Sequence, residues 1–347
     1  MTETEAVYDV KAIDFDSIKD IVDIVGKSVS AWSAQVLSVG VRLELFECLG
    51  KGPKTIDELC AALNCPKRSL GRLVIAAHGC GYLQREDDRY HNAPHVARTL
   101  VSGQHGYIGN WIRLMAQWSR AWLNLEEAVR TGKNVEDPAL HLGENEEYTQ
   151  DFIRGMHDYA HYRGTDVLNH LDLEGCKSLI DVGGGPGTYS IMFAQRYPSL
   201  ICTNFDLPDV LKIAKTYVDA SGLADRVKLE AGNYHNDEFG SDYDVAFLSD
   251  MLHQEDAETG MMIAQKAFRA LSPGGRIVVQ AMFLYDDNSG PEWPALHNLL
   301  MLLIYRGGKA YSMAETIPWL ERAGFVDIER VPMSFYNVNS LIVGYKP

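Results

Sequence analysis

A histidine stands just beyond a run of apolar residues in the second half of the chain. Residues 243–248 read Y-D-V-A-F-L and are followed by S-D-M-L-H-Q-E-D, which places His253 near the end of a predicted buried strand. Because imidazole exchanges a proton near neutral pH, a histidine at such a position is either a general base or an ordinary loop residue. The choice depends on what the rest of the chain builds around it.

A glycine-rich stretch gives the strongest local signal. Residues 178–189, S-L-I-D-V-G-G-G-P-G-T-Y, run from a short apolar segment through glycines into the helical segment I-M-F-A-Q-R-Y. Gly183, Gly185 and Gly187 allow the backbone to turn tightly and to approach a ligand closely. The N–H groups at the start of the following helix are available to a polar ligand. The pattern predicts a strand, a ligand-binding loop and a helix.

The spacing of the glycines indicates which ligand this loop binds. A dinucleotide-binding loop has the form G-x-G-x-x-G, and Thr188 stands where its third glycine would fall. The form G-x-G-x-G after an acid, here Asp181, is instead the pattern of methyltransferases that use S-adenosylmethionine (SAM). An acid that binds ribose is expected at the end of the next strand, and I-C-T-N-F-D places Asp206 there. We therefore predict a SAM site.

The remaining sequence alternates between apolar runs and helical stretches. V-K-L-E-A-G-N-Y predicts a third strand ending at Asn233 and Tyr234, and Y-D-V-A-F-L-S-D predicts a fourth, followed by a helix from about 256 to 271. L-S-P-G-G-R-I-V-V-Q-A-M predicts a turn and a fifth strand, and the last two apolar runs predict a hairpin. Such alternation is typical of an α/β domain with a parallel sheet.

The first part of the chain predicts a separate helical module. One amphipathic helix is predicted over residues 31–49, Thr55 and Glu58 have the spacing of a capping box, and a further helix begins near Pro66. Y-L-Q-R-E-D-D-R-Y-H-N then predicts two short extended arms with a polar tip, like the wing of a winged helix. Winged helices often bind DNA, but P-K-R-S-L-G-R offers only three basic residues, so an architectural or dimer-forming role is favoured.

Residues 106–165 predict helices rich in large side chains. These side chains either pack in a core or face a cleft that binds a flat organic ligand. They are Trp111, Met115, Trp118, Trp122, Phe152, Met156 and Tyr159. His157 and His161 are four residues apart, as in some metal sites, but no H-E-x-x-H pattern joins them, so a metal site is not favoured.

Composition limits the partners and the compartment. The chain has 347 residues, which suggests two domains, and a net charge of −15, which disfavours nucleic acid as a partner. The N-terminus M-T-E-T-E-A-V-Y-D-V lacks the features of an export signal, and no apolar stretch is long enough to span a membrane. The six cysteines form no C-x-x-C pair, which argues for reduced thiols and against a zinc ribbon. We expect a cytoplasmic protein.

With these motifs the chain resembles the plant caffeic-acid-type and animal hydroxyindole-type O-methyltransferases and their bacterial small-molecule relatives. L-F-E-C-L, D-V-G-G-G-P-G, N-F-D-L-P, S-P-G-G-R and E-R-A-G-F occur in the family's order and span almost the whole chain. The resemblance implies an α/β fold, with a Rossmann-like SAM-binding domain after an α-helical winged-helix dimerisation domain. It also implies SAM as the methyl donor, no metal, a homodimer, and a small aromatic or heteroaromatic acceptor.

This resemblance sets the expected domains and site residues. The dimerisation domain would comprise residues 1–105, the linking helices of the acceptor pocket 106–165, and the catalytic domain 166–347. His253 takes the position of the family's catalytic base. The expected cofactor-binding residues are Asp181, Gly183, Gly185, Gly187, Asp206, Leu207, Asn233, Tyr234 and Ser249, with Asp206 on ribose and Asn233 and Tyr234 on adenine. The expected acceptor-pocket residues are Trp111, Met115, Phe152, Met156, Asp250, His297, Asn298, Met301 and Tyr305.

The acceptor side departs from the family. Ala281 and Ala310 stand where the plant enzymes have the glutamates that flank the catalytic histidine. The remaining candidates to orient the imidazole are a backbone carbonyl, Asp250, Glu255 or Asp256. The departures leave two alternatives to O-methylation open, namely methylation of carbon, nitrogen or sulfur and a SAM-fold protein that does not methylate. The N-terminal module leaves a third, a winged-helix regulator that senses a small ligand.

Overall fold

The computed structural model describes residues 14–136, 145–334 and 338–347. Two units divide at residue 105, namely Met1–His105 and Gly106–Pro347. The N-terminal stretch that bears on export falls outside the described residues.

The N-terminal unit is helical apart from one hairpin. Its elements are α1 (Phe15–Arg42), α2 (Leu45–Gly50), α3 (Ile56–Leu63), α4 (Lys67–Gly79), β1 (Leu83–Glu86), β2 (Arg89–Asn92) and α5 (Pro94–Thr99). The predicted capping box of Thr55 and Glu58 is present, with both of its hydrogen bonds formed. β1 and β2 pair antiparallel as the predicted wing.

The single helix predicted over residues 31–49 is wrong in its length and continuity. The helix begins sixteen residues earlier by number, at Phe15, and ends at Arg42, because Glu44 adopts a left-handed conformation with φ of 59°. The turn brings the Phe46 ring against the backbone of Gly40, where a Cβ would lie 2.7 Å from the ring. Two helices, α1 and α2, therefore pack closely against each other where one continuous helix was predicted.

The C-terminal unit alternates helices with strands. Its helices are α6 (Gly109–Trp122), α7 (Leu125–Thr131), α8 (Glu146–His170), α9 (Thr188–Arg196), α10 (Pro208–Ser221), α11 (Ala257–Ala270), α12 (Glu292–Ile304) and α13 (Met313–Ala323). Its strands are β3 (Ser178–Val182), β4 (Ile201–Asp206), β5 (Val227–Ala231), β6 (Tyr243–Ser249), β7 (Leu271–Ala281), β8 (Val326–Val331) and β9 (Ser340–Tyr345). α8 runs through residue 165, where the sequence suggested a boundary.

The seven strands form one sheet in the order β5-β4-β3-β6-β7-β9-β8. The first five strands are parallel, while β9 runs antiparallel to both β7 and β8, as the predicted terminal hairpin requires. The predicted α/β fold with a Rossmann-like sheet is confirmed. The chain order reverses between β3 and β6, and ligands of such sheets bind beyond the carboxyl ends of the strands at this point.

Both faces of the sheet are covered by apolar side chains. β3 and β6 are buried along most of their length, as is usual for central parallel strands. One layer contains Phe205, Leu248 and Ile263, and the other contains Phe193 and Phe247. The rigid sheet therefore fixes the positions of the loops that follow β3, β4, β5 and β6. None of the helices in the described part of the chain is both long and apolar enough to cross a membrane.

Candidate active site

The predicted glycine loop joins β3 to α9. Gly183, Gly185 and Gly187 have φ values of 65°, 54° and 73°, a region that other residues rarely adopt. The loop edge is open at two of them, because a Cβ on Gly183 would meet only Met251 at 3.6 Å and a Cβ on Gly185 only Ile153 at 4.0 Å. A ligand can thus come close to the backbone of the loop at these two glycines.

Gly184 has a different role, which the spacing pattern missed. A Cβ at this position would lie 2.2 Å from Oδ1 of Asn204 and 2.7 Å from Cγ of Asp181. Asn204 also donates to the carbonyl of Gly185 at 3.2 Å. The second glycine of the G-G-G run is therefore needed because Asn204 and Asp181 fill the space that a Cβ would take.

Asp206 closes the loop from the neighbouring strand. Its Oδ2 accepts a hydrogen bond from the N–H of Gly185 at 2.7 Å, and its Oδ1 accepts one from the N–H of Leu207 at 2.7 Å. Burial raises the pKa of Asp206 to about 6, and the two backbone donors oppose that rise. At neutral pH the carboxylate is held in a fixed place beside the glycine loop, where it can accept further donors such as ribose hydroxyls.

Asp181 is buried beneath the same loop, with an exposed fraction of 1%. Its Oδ2 accepts a hydrogen bond from the Ser190 hydroxyl at 2.9 Å, while Oδ1 has no hydrogen-bond partner among the described residues. Burial raises the pKa of Asp181 to about 7, and the nearby charge of Asp206 adds to the rise. The folded protein therefore binds a proton at Asp181 more tightly than the unfolded chain does.

Replacing Asp181 with asparagine is expected to stabilise the protein at pH 8. Because the pKa is raised on folding, ionisation costs stability as pH rises from about 4 to 7, and the cost at pH 8 reaches at most about 4 kcal/mol. Asparagine keeps the acceptor for Ser190 and removes this cost. Urea unfolding at pH 8 and pH 4, with exposed Asp225→Asn as control, measures the difference. An equal gain at both pH values would contradict the assignment.

A cavity of about 380 Å³ opens beside the loop. It brings together most predicted cofactor residues and part of the predicted acceptor pocket. The predicted residues that line it are Asp181, Gly183, Gly185, Asp206, Leu207, Asn233, Tyr234, Ser249, Asp250, Phe152, Met156 and Tyr305. Tyr159 and Glu255, which the sequence considered as a cleft residue and as a partner of His253, also line it. Lining residues that the sequence did not single out for the site include Gly184, Arg163, Thr188, His235 and Gln254.

Other predicted acceptor residues lie in an apolar cluster that shares three side chains with the cavity wall. Phe152, Met156 and Tyr305 line the cavity and also pack against this cluster. The cluster also includes Trp111, Met115 and Met301. Asn298 belongs to neither the cavity lining nor the apolar cluster among the described residues. Its Oδ1 accepts a hydrogen bond from the N–H of Ala310 at 3.0 Å.

His253 lies in a short 3₁₀ turn, Leu252–Gln254, directly after β6. Its side chain is buried, and it is not among the described residues that line the cavity, although Met251, which precedes the turn, and Gln254 are. Its ring meets the His297 ring edge to face, with centroids 4.5 Å apart, and its Nδ1 has no hydrogen-bond partner among the described residues. Burial lowers the pKa of His253 to about 4, so the imidazole is neutral at physiological pH.

The three acids suggested as partners for His253 form hydrogen bonds elsewhere. Asp250 accepts from Arg163 at 2.8 Å, Glu255 accepts from the Tyr234 hydroxyl at 2.7 Å, and Asp256 caps α11. Asp250 still acts on the histidine through its charge, which raises the pKa of His253 against the larger effect of burial. The His297 ring, rather than a carboxylate, is in direct contact with this imidazole.

A buried ion pair stands next to this turn, and sequence reasoning missed it. Arg163 on α8 is 1% exposed, and its Nη2 lies 2.8 Å from Oδ2 of Asp250. Asn339 accepts a hydrogen bond from Arg163 and donates one to Oδ1 of Asp250 at 2.7 Å. The guanidinium also lies 3.4 Å from the centroid of the Tyr159 ring. No local motif predicts contacts among residues 163, 250 and 339.

The two histidines that raised the question of a metal contact other groups. Nδ1 of His157 lies 2.8 Å from the hydroxyl of Thr188, and its ring stacks on Tyr217 at 4.0 Å. The His157 and His161 rings are 5.9 Å apart. Over the described ranges, no group of three or more His, Cys, Asp or Glu residues is arranged to hold a metal ion.

More than half of the chain matches a known protein family. The family model described as an O-methyltransferase domain matches residues 122–326, which is more than half of the chain. The chain belongs to this O-methyltransferase family. The match confirms the family and the O-methyltransferase activity predicted from the sequence.

Relatives of this O-methyltransferase include three enzymes from Streptomyces. The 3-hydroxy-5-methyl-1-naphthoate 3-O-methyltransferase of Streptomyces sahachiroi is 30% identical over 319 residues, covering 91% of this chain and 92% of the relative. The tetracenomycin polyketide synthesis 8-O-methyl transferase of Streptomyces glaucescens is 28% identical, covering 94% and 96%. The L-tyrosine C(3)-methyltransferase of Streptomyces lavendulae is 26% identical, covering 90% and 89%.

A solved structure gives the same result for the fold of this O-methyltransferase. The structure titled "PigF with SAH" superposes with a TM-score of 0.85 at 26% identity, covering 94% of this chain and 99% of the other. That structure contains SAH, the product of SAM, which is the ligand predicted from the glycine loop. The open edge at Gly183 and Gly185 and the fixed Asp206 carboxylate fit a nucleoside with an amino-acid tail such as SAM.

Proposed function

We propose that this O-methyltransferase transfers a methyl group from SAM to a hydroxyl of a small aromatic or heteroaromatic acceptor, with His253 as the general base. The observation that supports it most is the cavity, because its lining includes both the glycine loop with Asp206 and the side chains of Phe152, Met156 and Tyr305. Polar groups for a nucleoside and flat apolar surface for an acceptor therefore meet in one space.

The cofactor side is built from residues of three loops. SAM supplies an activated methyl group on its sulfonium. Asp206 would accept the ribose hydroxyls, the loop at Gly183 and Gly185 would bind through its backbone, and Asn233 and Tyr234 would contact the adenine ring. These residues follow β3, β4 and β5, whose carboxyl ends lie side by side in the sheet.

The acceptor side is apolar. Phe152 and Met156 are one helical turn apart on α8, and Met301 is buried on α12 in the same cluster. Methionine and aromatic side chains adapt to flat ligands, which supports an aromatic acceptor. The Streptomyces sahachiroi relative is named for a hydroxynaphthoate, and such bicyclic phenols are the first acceptors to test.

The pKa of His253 restricts how it can act. Complete removal of a proton from a phenol of pKa about 10 by an imidazole of pKa about 4 costs about 8 kcal/mol. Alignment of the reacting groups contributes on the order of 7–11 kcal/mol, and general-base assistance about 10²–10⁴-fold. His253 therefore accepts the proton as the new bond forms, or the acceptor hydroxyl is more acidic than a simple phenol.

An acceptor screen tests the proposed function. We expect the purified protein to release S-adenosylhomocysteine (SAH) in the presence of SAM and a hydroxynaphthoate, hydroxyindole, hydroxybenzimidazole or simple phenol. Mass spectrometry would show one added methyl group, and NMR would place it on oxygen. The same four acceptors with the hydroxyl already methylated are the matched negative controls. Release of SAH without any methylated product would contradict the proposal.

Carbon methylation is the second candidate, since one relative is named an L-tyrosine C(3)-methyltransferase. The same NMR experiment separates the two, because methylation at a ring carbon removes an aromatic proton signal and leaves the hydroxyl in place.

Three further features remain proposals. The large exposed apolar side chains of α1, such as Phe15, Val22 and Trp32, support a homodimer formed through the N-terminal unit. The six free thiols support a cytoplasmic location. The functional division at residues 105 and 165, with helices 106–165 serving the acceptor pocket, is supported by the apolar cluster, to which α6 contributes Trp111 and Met115 and α8 contributes Phe152 and Met156.

A further inference from the structure

Glu255 places a carboxylate on the wall of the cofactor cavity. Its side chain is 14% exposed, and its Oε1 accepts a hydrogen bond from the Tyr234 hydroxyl at 2.7 Å. Oε1 also lies 3.3 Å from Nε2 of His235. Burial raises the pKa of Tyr234 well above its usual range, so its hydroxyl remains protonated and acts as the donor. Among the described residues, no donor bonds to Oε2.

The backbone of Glu255 is fixed as well. Its N–H donates to the carbonyl of Leu252 at 3.2 Å, and its carbonyl accepts from the Tyr311 hydroxyl at 2.9 Å. Glu255 is therefore held by hydrogen bonds to its main chain and to one oxygen of its carboxylate. A carboxylate held in this way loses little entropy when its other oxygen accepts a hydrogen bond from a ligand.

The loop that carries Tyr234 and His235 is equally constrained. The buried Lys266 amino group donates to the carbonyls of Tyr234, His235 and Asp237 at 2.9, 3.1 and 2.9 Å. The N–H of Asn233 donates to Oδ2 of Asp237 at 2.8 Å. The loop after β5 therefore presents its two rings and the attached Glu255 carboxylate as one rigid wall.

The chemistry of this wall suits one part of SAM. The ribose is assigned to Asp206 and the loop backbone, and the adenine ring to Asn233 and Tyr234. With adenine at Tyr234, the carboxylate of Glu255 is near the adenine ring and can accept a hydrogen bond from it. The exocyclic amino group is the one strong hydrogen-bond donor of adenine. A purine with an oxo group at that position presents an acceptor instead, which a carboxylate repels.

We propose that the Glu255 carboxylate accepts a hydrogen bond from the exocyclic amino group of adenine and thereby selects adenine over other purines. This inference depends on the proposed placement of SAM in the cavity. A hydrogen bond to a charged group is worth about 1.5–3 kcal/mol, which corresponds to a preference of about 10- to 150-fold.

Calorimetric titration of the full chain with SAH and with S-inosylhomocysteine, which has an oxo group in place of the amino group, tests the proposal. The wild type should bind SAH about 10- to 150-fold more tightly than the inosine analogue. Glu255→Gln should lose most of this preference, because its amide can donate to the oxo group. Glu258→Gln changes a nearby exposed acid on α11 and should keep the full preference.

The outcomes separate this inference from the proposed function. If Glu255→Gln keeps the preference, or if it weakens both ligands equally, Glu255 does not recognise the amino group and the inference is overturned. If the wild type binds neither ligand, the assignment of the cavity to SAM fails, and this inference fails with it. Thermal unfolding of each variant shows whether a loss of binding reflects a loss of folding.

Discussion

Replacing His253 with glutamine is expected to lower turnover about 10²–10⁴-fold and to leave SAH affinity unchanged, because the imidazole is proposed to accept the acceptor's proton and does not line the cofactor cavity. Single-turnover rates with an acceptor found in the screen, together with calorimetric SAH binding, measure the two effects. Exposed His95→Gln on α5 is the matched control. Near-normal turnover of the His253 variant would show that the base assignment is wrong.

The pH profile adds a second test of the same residue. The pKa of His253 is lowered from 6.5 to about 4, so the base is neutral and active at every pH well above 4. Activity that depends on it should fall only as pH drops towards 4, rather than through an inflection near 6.5. His297 faces the same ring, and burial lowers its pKa well below its usual range, so it adds no positive charge at neutral pH. An inflection near 6.5 that disappears in His253→Gln would contradict the buried, neutral imidazole.

The second large effect is expected at Arg163. Replacing it with methionine leaves the Asp250 carboxylate without its buried cation, and the free energy of unfolding should fall by about 3–5 kcal/mol. The Arg163 and Asp250 side chains are 1% and 14% exposed, and Asn339 alone cannot neutralise the remaining charge. Urea unfolding measures the loss.

Two further variants identify the cause. The double replacement Arg163→Met with Asp250→Asn removes both charges and should recover much of the lost stability. Arg330→Met breaks an ion pair with Asp286 whose side chains are 47% and 44% exposed, and it should cost at most about 1 kcal/mol. Equal losses in Arg163→Met and Arg330→Met would mean that burial of the pair is unimportant.

Local patterns were sufficient to predict much of the fold. The strands of the C-terminal unit are short apolar runs between turns, and the glycine loop and Asp206 are recognisable because their spacing follows from one strand–turn–helix unit. The capping box at Thr55 and the terminal hairpin are likewise local. The break at Glu44 was missed because the apolar pattern continues through it, and it depends on the packing of Phe46 against Gly40.

The candidate site was predicted unevenly for the same reason. Asp181 and Asp206 lie near the ends of β3 and β4, and Asn233 and Tyr234 follow β5, so their places in the sheet could be inferred. The contacts of Arg163 with Asp250 and Asn339 join residues far apart in the sequence, and no periodicity reports them. The environment of His253 is also tertiary, because its burial and its contact with His297 depend on where α12 lies.

Two helices, α8 and α12, carry residues of the proposed acceptor pocket and suggest where substrate range can be altered by protein engineering. Phe152 and Met156 are four residues apart on α8, and His297 and Met301 are four residues apart on α12, so each helix presents one pair on one face. None of the four belongs to the glycine loop or to its support by Asp206 and Asn204. Libraries restricted to these two faces should therefore change which acceptor is methylated while SAH binding stays near that of the wild type.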